Sequence, residues 1–267
     1  MATIGTDPEF FVRQADQIIP VCGLLGGTKN DPIPLAGLPT GFGAQEDNVM
    51  AELTVPPALS AMSFAQNVRE GRNAISRMLE EHDADLVDYT CEHQFTQEAL
   101  DRHAGSSVFG CSPDFNAYEQ GRMRPRLNPE VVGRYRFCGG HVHIGTTCTA
   151  PKFVLAMMAD AMLGLWSVGR DTQSVRRRYY GTAGVYRETP YGIEYRTMSN
   201  FWACNPDDVE EVGHYALMLA NFLDRGARAT REVMLSLDWV RVRSLVTGGA
   251  DRNAAVKIHQ QVVRMMS

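Results

Sequence analysis

The sequence lacks the signatures of several common classes of protein. It contains no C-x-x-C pair, neither of the two familiar glycine-rich nucleotide loops (G-x-x-x-x-G-K-[ST] and G-x-G-x-x-G), and no G-x-S-x-G nucleophile turn. Internal repeats and low-complexity tracts are also absent. A conventional nucleotide-binding loop and a hydrolase serine are therefore not indicated, and neither is a repeat architecture.

The sequence also has no excess of positive charge and no long apolar run. Its 26 basic and 31 acidic residues give a net charge of −5, so no overall basic field for nucleic acid exists. The longest apolar stretch, 153–168, contains Asp160 and is too short to cross a bilayer. No basic segment followed by an apolar one opens the chain, so we expect no signal peptide. These absences predict a soluble, cytoplasmic protein that binds neither nucleic acid nor membrane, and reduced thiols are expected at the six scattered cysteines, Cys22, Cys91, Cys111, Cys138, Cys148 and Cys204.

What is present predicts one globular domain of mixed class. The chain has 267 residues, of which 44% are hydrophobic and 21% charged, enough for a sizeable core in a single domain over residues 1–267. Patterning predicts strands at 3–13, 48–55, 85–91, 134–147 and 191–199, and helices at 63–82, 152–169, 207–235 with a break near Gly226, and 253–266. Strands and helices alternate without a regular βαβ period. We therefore expect an α+β fold, with an antiparallel sheet and helices packed on one of its faces.

Acidic residues stand on two of the predicted strands. Asp7 and Glu9 flank Pro8 in G-T-D-P-E-F-F, and residues two apart on a strand point to the same side. This pair alone also fits a solvent-facing strand on which polar and apolar residues alternate. Glu52 is the lone acid in M-A-E-L-T-V-P-P, where burial is unfavourable unless a cation meets the carboxylate.

Two later strands carry paired polar residues at the same spacing. In G-G-H-V-H-I-G, His141 and His143 place two imidazoles on one face, which fits either a structural role or metal ligation. In G-I-E-Y-R, Glu194 and Arg196 share a face. Taken alone, that pair is equally consistent with an exposed ion pair of little energetic weight.

Together, these patterns predict one polar sheet surface that carries Glu9, Glu52, His141, His143 and Glu194. Acids buried side by side repel one another, and divalent cations are the simplest compensation. Oxygen ligands favour Mg²⁺ or Mn²⁺. Two nearby arginines, Arg187 and Arg196, would then be available for an anion such as a nucleotide phosphate, which guanidinium groups bind with two hydrogen bonds.

In this order, the four motifs resemble those of the carboxylate–amine ligases of tailed phages (COOH-NH2 ligase, type 2), amidoligases related to glutamine synthetase and glutamate–cysteine ligase. The resemblance runs from about residue 3 to Trp202, and it is most specific in the H-x-H motif and in 191–202. It implies a glutamine synthetase-like sheet whose concave face holds ATP and two or three divalent cations. It also implies amide formation through an acyl phosphate, with small-molecule or peptide carboxylates and amines as substrates, in the host cytoplasm if the protein is phage-encoded.

The resemblance also implies roles for particular residues. The implied metal ligands are Glu9, Glu52, His141, His143 and Glu194. The implied nucleotide contacts are Arg187, Arg196 and His143, and the implied catalytic residues are Arg187, Arg196 and Glu52. Which imidazole ligates metal stays open, as does the identity of the remaining metal-site acids, for which Glu46, Glu92 and Glu98 are candidates.

Two other functions stay open at this point. The first is a zinc enzyme that uses Cys138, His141, His143 and Cys148, although Cys138 lies on the opposite side of the strand unless the glycines 139–140 break its register. The second is a non-catalytic phage binding module, against which the retention of every charged position argues. The arginine run 176–178 is interpreted as a solvated basic turn, with ATP or an acidic substrate as the alternative contact. The Gly/Pro-rich stretch 23–43 is interpreted as a surface connection, with a closing loop as the alternative.

Overall fold

The computed structural model describes residues 1–103, 106, 114–123, 132–171 and 174–267. In chain order the strands are β1 (Thr3–Thr6), β2 (Glu9–Phe10), β3 (Val12–Gln14), β4 (Gln17–Ile19), β5 (Ile33–Pro34), β6 (Gly43–Asp47), β7 (Met50–Thr54), β8 (Ala84–Leu86), β9 (Glu92–Gln94), β10 (Phe115–Asn116), β11 (Arg122–Met123), β12 (Tyr135–Phe137), β13 (Val142–Gly145), β14 (Val185–Thr189) and β15 (Gly192–Tyr195). The α-helices are α1 (Ala61–Glu80), α2 (Gln97–Asp101), α3 (Lys152–Ala159), α4 (Leu165–Val168), α5 (Ser174–Tyr179), α6 (Pro206–Leu223), α7 (Ala227–Ser236), α8 (Trp239–Gly248) and α9 (Arg252–Met266). Every strand pairing among these residues is antiparallel.

The largest sheet has six strands in the order β1-β13-β15-β14-β10-β11. Alternate residues of these strands face opposite sides, so Ile4, Ile144 and Ile193 lie in the apolar core. Helix α6 packs on β1 and β13, and α3 packs on β14 and β15. The predicted α+β class, with an antiparallel sheet and helices on one face, is confirmed.

A second sheet, in the order β2-β7-β6-β5, begins where the chain leaves the first one. The strand predicted over 3–13 is in fact three short strands, because the chain changes sheet after β1. Pro8 lies at this change, where it has no N–H to donate, and its carbonyl instead accepts a hydrogen bond of 3.0 Å from the Leu53 N–H. The strand predicted over 48–55 is confirmed as β7.

The strand predicted over 134–147 is likewise divided, into β12 and β13. The two strands belong to different sheets, and Gly139 and Gly140 lie between them. The Gly140 N–H donates to the Met198 carbonyl at 3.0 Å, so this stretch pairs with the segment that follows β15. The strands predicted over 85–91 and 191–199 are also shorter in the structure, at 84–86 and 192–195.

The helices follow the hydrophobic periodicity closely. Helix α1 begins at an N-cap, Ser60, whose side chain accepts from the Ser63 N–H, and it buries its apolar face from Phe64 to Leu79. The helix predicted over 152–169 is α3 and α4 joined by a π-helical turn, Asp160–Gly164. The predicted break near Gly226 separates α6 from α7, where this glycine has a φ of 99°. Helices α2, α5 and α8 were not predicted.

Two further observations bear on the cysteines and on membranes. Five cysteines are free thiols in the structure, and Cys111 lies outside the described residues. Within the described residues, no helix has both the length and the apolar character needed to cross a membrane.

Candidate active site

One row of residues crosses the main sheet on the face opposite the helices. Gly5 on β1 pairs with His143 on β13, His143 pairs with Glu194 on β15, and Glu194 pairs with Arg187 on β14. Residues paired across neighbouring antiparallel strands point to the same face. The register therefore places an imidazole, a carboxylate and a guanidinium side by side.

Asp7 follows β1 and forms a group of three possible metal ligands with His143 and Glu194. One ligand atom from each of the three side chains lies within 4.8 Å of the other two. The Asp7 Oδ2 atom is 3.3 Å from His143 Nε2. Burial acts to raise the pKa of Asp7, but the imidazoles of His143 and His141 outweigh it and hold the pKa well below its ordinary value. On its other side, His143 Nδ1 lies 3.0 Å from the Tyr191 hydroxyl.

His141 lies deeper, between this group and the arginines. Its Nδ1 atom is 3.2 Å from Asp7 Oδ1, 3.5 Å from Glu194 Oε1 and 3.3 Å from Arg196 Nη1. A Cβ atom on Gly139 would lie 2.2 Å from His141 Nε2, so the imidazole needs a glycine at this position. The H-x-H motif thus brings both imidazoles to the single carboxylate of Asp7, as the two-residue spacing predicts.

A second group of possible ligands, Glu9, Asp47 and Glu52, comes from the second sheet, and its ligand atoms also lie within 4.8 Å of one another. Glu9 on β2 and Glu52 on β7 are direct cross-strand partners. The Gly139 N–H donates to Glu9 Oε2 at 2.6 Å. Burial, together with the charges of Asp7, Glu9 and Asp47, raises the pKa of Glu52 well above its ordinary value. A cation would relieve this repulsion.

Two arginines border both groups and are held in place by acids. Arg187 Nη1 is 2.9 Å from Glu194 Oε2. Arg196 forms a short ion pair with Glu194, and its Nε atom is 3.0 Å from Asp114 Oδ1. Burial alone would raise the pKa of Glu194, but Arg196, His141 and Arg187 outweigh burial and the repulsion from Asp7, so this pKa lies below its ordinary value. Glu194 is therefore an anchor for both guanidinium groups as well as a possible ligand.

Asp7 from the first group and all three acids of the second line one cleft, which we call the acid cleft. Its lining residues are Asp7, Glu9, Lys29, Asp47, Glu52, His141, Arg187 and Arg196. An adjacent chamber shares Glu9, Asp47, His141 and Arg196 with the cleft. The other lining residues of this chamber are Asn48, Met50, Arg136, Phe137, Gly139, Arg176 and Tyr180. The site therefore has a charged part and a part with aromatic and apolar walls.

The donor set of the acid cleft fits hard divalent cations. The group of Glu9, Asp47 and Glu52 offers carboxylate oxygens alone, and the group at Asp7 adds one imidazole. Carboxylate-rich sets of this kind suit Mg²⁺ or Mn²⁺, whereas zinc sites favour thiolates and imidazoles. The residues present are therefore those that the predicted cations require.

All the predicted site residues meet around this cleft. They are Glu9, Glu52, His141, His143, Arg187, Glu194 and Arg196. Their roles as ligands or catalysts stay predictions. Sequence reasoning did not assign Lys29, Asp47 or Asp114 to the site. Asp47 had a weak signal, since it ends a strand whose hairpin partner carries Glu52.

The three further acids considered for the metal site lie elsewhere. Glu46 accepts backbone hydrogen bonds from the glycine-rich segment, the nearest of them from the Gly26 N–H at 2.8 Å. Glu92 accepts from the Arg176 N–H at 2.9 Å, and the exposed Glu98 pairs with Arg102 at 2.7 Å. Asp7 and Asp47, rather than these three candidates, complete the two groups of possible ligands.

The interpretation of 176–178 as a solvated turn is wrong for two of its three arginines. Arg176 is 2% exposed and donates to the Thr197 carbonyl at 2.8 Å. Arg177 is 5% exposed and lies 3.4 Å from Asp171. Only Arg178 is exposed. Carbonyl groups from distant parts of the chain and the nearby carboxylate of Asp171 replace the water that these two guanidinium groups would otherwise bind.

The zinc alternative does not fit the structure. Cys138 is fully buried in an apolar cluster with Phe11 and Cys91, and burial raises its pKa well above the ordinary value, which opposes the thiolate form that binds zinc. Cys148 instead lies 4.0 Å from the Thr230 hydroxyl. Among the described residues, neither thiol belongs to a group of possible metal ligands with His141 or His143.

Comparison with known proteins agrees with the motifs. Residues 129–237 match the family model of phage phiEco32-like COOH.NH2 ligase-type 2, and this confirms the predicted resemblance. The matched segment contains both imidazoles, Arg187, Glu194 and Arg196, while Asp7, Glu9 and Glu52 lie outside it and reach the same cleft through the fold. The name of the family implies a carboxylate–amine ligase and therefore an enzyme.

One of the solved structures similar to this chain is a glutamine synthetase. The cryo-EM structure of Plasmodium falciparum glutamine synthetase matches with 8% identity and a TM-score of 0.39, over 84% of this chain. The chain spans about half of that protein, 51% of its length. No curated protein sequence matches the chain.

Proposed function

We propose that this chain, which carries a COOH-NH2 ligase type 2 segment, is an ATP-dependent ligase that joins a carboxylate to an amine through an acyl phosphate. One observation carries the proposal. Two groups of possible cation ligands, Asp7–His143–Glu194 and Glu9–Asp47–Glu52, contribute to one cleft, the first through Asp7 and the second through all three acids, and Arg187 and Arg196 line the same cleft. Such a combination suits the transfer of a phosphoryl group, whose charge needs neutralising from several sides.

The reaction balances in two steps. A substrate carboxylate oxygen first attacks the γ-phosphorus of ATP, the bond from that phosphorus to the β–γ bridging oxygen breaks, and ADP leaves. The amine nitrogen then attacks the acyl carbon, the bond from carbon to the phosphate oxygen breaks, and inorganic phosphate leaves with its electron pair. The proton that the amine loses passes to a carboxylate of the cleft, and we assign this step to Glu52. No covalent bond to the protein is needed.

The residues of this chain act mainly by position and charge. Arg187 and Arg196 are held by Glu194 and Asp114, so their guanidinium groups are already oriented when phosphate arrives. Arginine binds phosphate oxygens with two parallel hydrogen bonds, which aligns the group for in-line transfer. Divalent cations held by the two ligand groups would supply further neutralisation of the phosphate charge.

The adjacent chamber is where we place the carboxylate substrate. It opens beside Glu9 and His141, and Met50, Phe137 and Tyr180 give it apolar and aromatic surface. A small-molecule or peptide acid bound there would have its carboxylate next to the phosphate-binding part of the cleft. The walls of the chamber would also keep water away from the acyl phosphate, which hydrolysis would otherwise destroy.

Thermal unfolding with MgATP tests the proposal without knowledge of the substrate. A ligand at about 100 times its Kd stabilises the folded state by about 2.7 kcal/mol, which raises Tm by about 5–10 °C in a protein of this size. We expect this rise with MgATP and its loss when a chelator is present in excess. No rise with MgATP would refute the proposal. Where the rise is seen, trapping with hydroxylamine identifies the acid, because an acyl phosphate yields a hydroxamate.

The non-catalytic alternative makes a different prediction for the formation of ADP. A binding module that retains the fold would show no ADP formation with any acid and amine. The presence of two groups of possible ligands in and beside the cleft favours the ligase, because acids brought together with little solvent are costly to keep without a cation. Detection of ADP formation that depends on both an acid and an amine would exclude the module.

A further inference from the structure

A lysine reaches the acid cleft from a tight turn in the glycine-rich segment. Thr28 and Asp31 exchange two backbone hydrogen bonds, each of 3.0 Å, so Lys29 and Asn30 form the tip of a two-residue turn. Lys29 is exposed, and it lines the cleft together with Asp7, the three acids of the second ligand group and both arginines. The phosphate-loop spacing missing from this segment thus does not prevent it from placing a cation at the site.

The segment that leads into this turn is hydrogen-bonded to β6, the strand that also carries Asp47. The Glu46 carboxylate accepts from the backbone N–H groups of Gly23, Leu25 and Gly26 at 2.9, 3.1 and 2.8 Å. Glu46 immediately precedes Asp47 on β6, so the position of the turn is tied to the second ligand group.

A glycine next to this anchored segment also supports the placement. Gly27 has a φ of 74°, and a Cβ atom there would lie 2.8 Å from the Ala44 carbonyl oxygen. The segment therefore passes close against β6 just before the turn that carries Lys29, and only glycine permits both the conformation and the approach. The turn is therefore held in place beside the cleft in two ways. Three of the preceding N–H groups donate to the Glu46 carboxylate, and the backbone at Gly27 packs closely against β6.

Among the described residues, Lys29 and the two arginines that line the cleft differ in how they are held. Arg187 is held by Glu194 at 2.9 Å, and Arg196 by Asp114 at 3.0 Å. Lys29 carries its charge on a flexible four-carbon stem, which lets an ammonium follow a group that moves during a reaction. Lys29 lines the acid cleft but not the adjacent chamber, where the carboxylate substrate is placed.

We infer that Lys29 is a further catalytic residue, which contacts the γ-phosphoryl group of ATP from the side of the turn while that group passes to the substrate carboxylate. The inference rests on the proposed function. It deepens that proposal by assigning a third cation to the transferring group, in addition to the two fixed arginines.

Selective labelling tests whether Lys29 faces the phosphate site. The chain has only three lysines, Lys29, Lys152 and Lys257, so each is resolved by peptide mass spectrometry. Pyridoxal 5′-phosphate condenses with a lysine amine, releasing water, and added borohydride supplies the hydride that reduces the resulting imine. We expect Lys29 to be labelled and MgATP to suppress its labelling about tenfold, while Lys257, exposed on α9, is labelled equally in both samples. Labelling of Lys29 that MgATP leaves unchanged would overturn the inference.

Substitution at Lys29 tests which phosphate it contacts. We expect Lys29→Met to weaken the binding of MgATP about tenfold, and that of MgADP less than twofold, by calorimetric titration. Lys29→Arg should retain most of the affinity for MgATP, and Lys257→Met is the matched control. Unchanged affinity for MgATP in Lys29→Met, or an equal loss for both nucleotides, would refute a contact with the γ-phosphoryl group. Because Lys29 is exposed, its replacement leaves the core intact.

The wild-type protein separates failure of this inference from failure of the proposed function. If the wild type binds neither nucleotide in the presence of Mg²⁺, both are overturned. If the wild type binds MgATP and Lys29→Met binds it equally well, only the role of Lys29 is overturned.

Discussion

Replacement of Glu194 by glutamine tests how the site is built. Glu194 is 3% exposed and faces Arg187 at 2.9 Å, Arg196 in a short ion pair, and His141 at 3.5 Å. Glutamine keeps the shape of the side chain but removes the charge that holds both guanidinium groups. Glu194→Gln should therefore lower stability in the absence of any ligand.

The size of the effect follows from what each arginine retains. Removal of one partner from a buried ion pair typically costs 3–5 kcal/mol, since the other charge is left buried without compensation. Arg196 keeps its contact with Asp114 at 3.0 Å, whereas Arg187 has only a 4.0 Å approach to the same carboxylate. Loss of the repulsion between Glu194 and Asp7 offsets part of the cost. We therefore expect the low end of the range, about 3 kcal/mol, or a fall in Tm of about 6–12 °C.

The assay is urea and thermal unfolding of the wild type and Glu194→Gln without metal or nucleotide, with Glu188→Gln as control. Glu188 is exposed on the adjacent strand β14, so its replacement should change Tm by less than about 1 °C. A fall in Tm of less than about 2 °C for Glu194→Gln would refute the anchoring role.

The dependence on pH provides a second check on the same variant. The pKa of Glu194 lies below its ordinary value of 4.5 in the folded state, so its contribution is present above pH 4.5 and is lost as the pH falls through the folded value. The difference in stability between wild type and variant should therefore be full at pH 7 and shrink below pH 4.5. A difference that stays constant to pH 3.5 would contradict an electrostatic origin.

Two further predictions concern the glycine next to His141 and a buried histidine. Gly139→Ala places a Cβ atom 2.2 Å from His141 Nε2, so we expect stability to fall by about 1–3 kcal/mol and MgATP binding to weaken. The control is Gly169→Ala, whose added Cβ atom meets nothing within 4 Å, and this variant should bind MgATP as the wild type does. Equal MgATP titrations for the two alanine variants would contradict this. His259 has a pKa lowered from 6.5 to about 4, chiefly by burial, so the unfolded state binds its proton more readily and stability should fall as the pH drops from 6.5 towards 4. The urea midpoint of His259→Gln should fall less between pH 6.5 and pH 4 than that of the wild type. If the two midpoints fall in parallel, His259 is not a source of the pH dependence of stability.

Several features of the fold and the site follow from the sequence because they depend on local geometry. The period of two along a strand places His141 and His143 on one face, and both contact Asp7. The period of 3.6 along a helix predicts α1 and α9 to within two residues. The same alternation brings Glu9 and Glu52 together as cross-strand partners, and the cation site that these acids indicate stays a prediction.

Only the tertiary structure decides which distant segments complete the site. Asp47 and Lys29 enter the cleft because β6 pairs with β7 and fixes the base of the glycine-rich turn, and Asp114 contacts Arg196 from a separate part of the chain. The change of sheet at Pro8 depends on pairing with β7, which no local preference of residues 3–13 specifies. Arg176 looks like a surface residue in its local sequence, and its burial depends on the carbonyl groups that 196–197 present to it. Local periodicity determined which side chains share a face, and the pairing of distant strands determined which of those faces meet, since hydrogen-bond partners far apart in the chain leave no pattern in the sequence around either one.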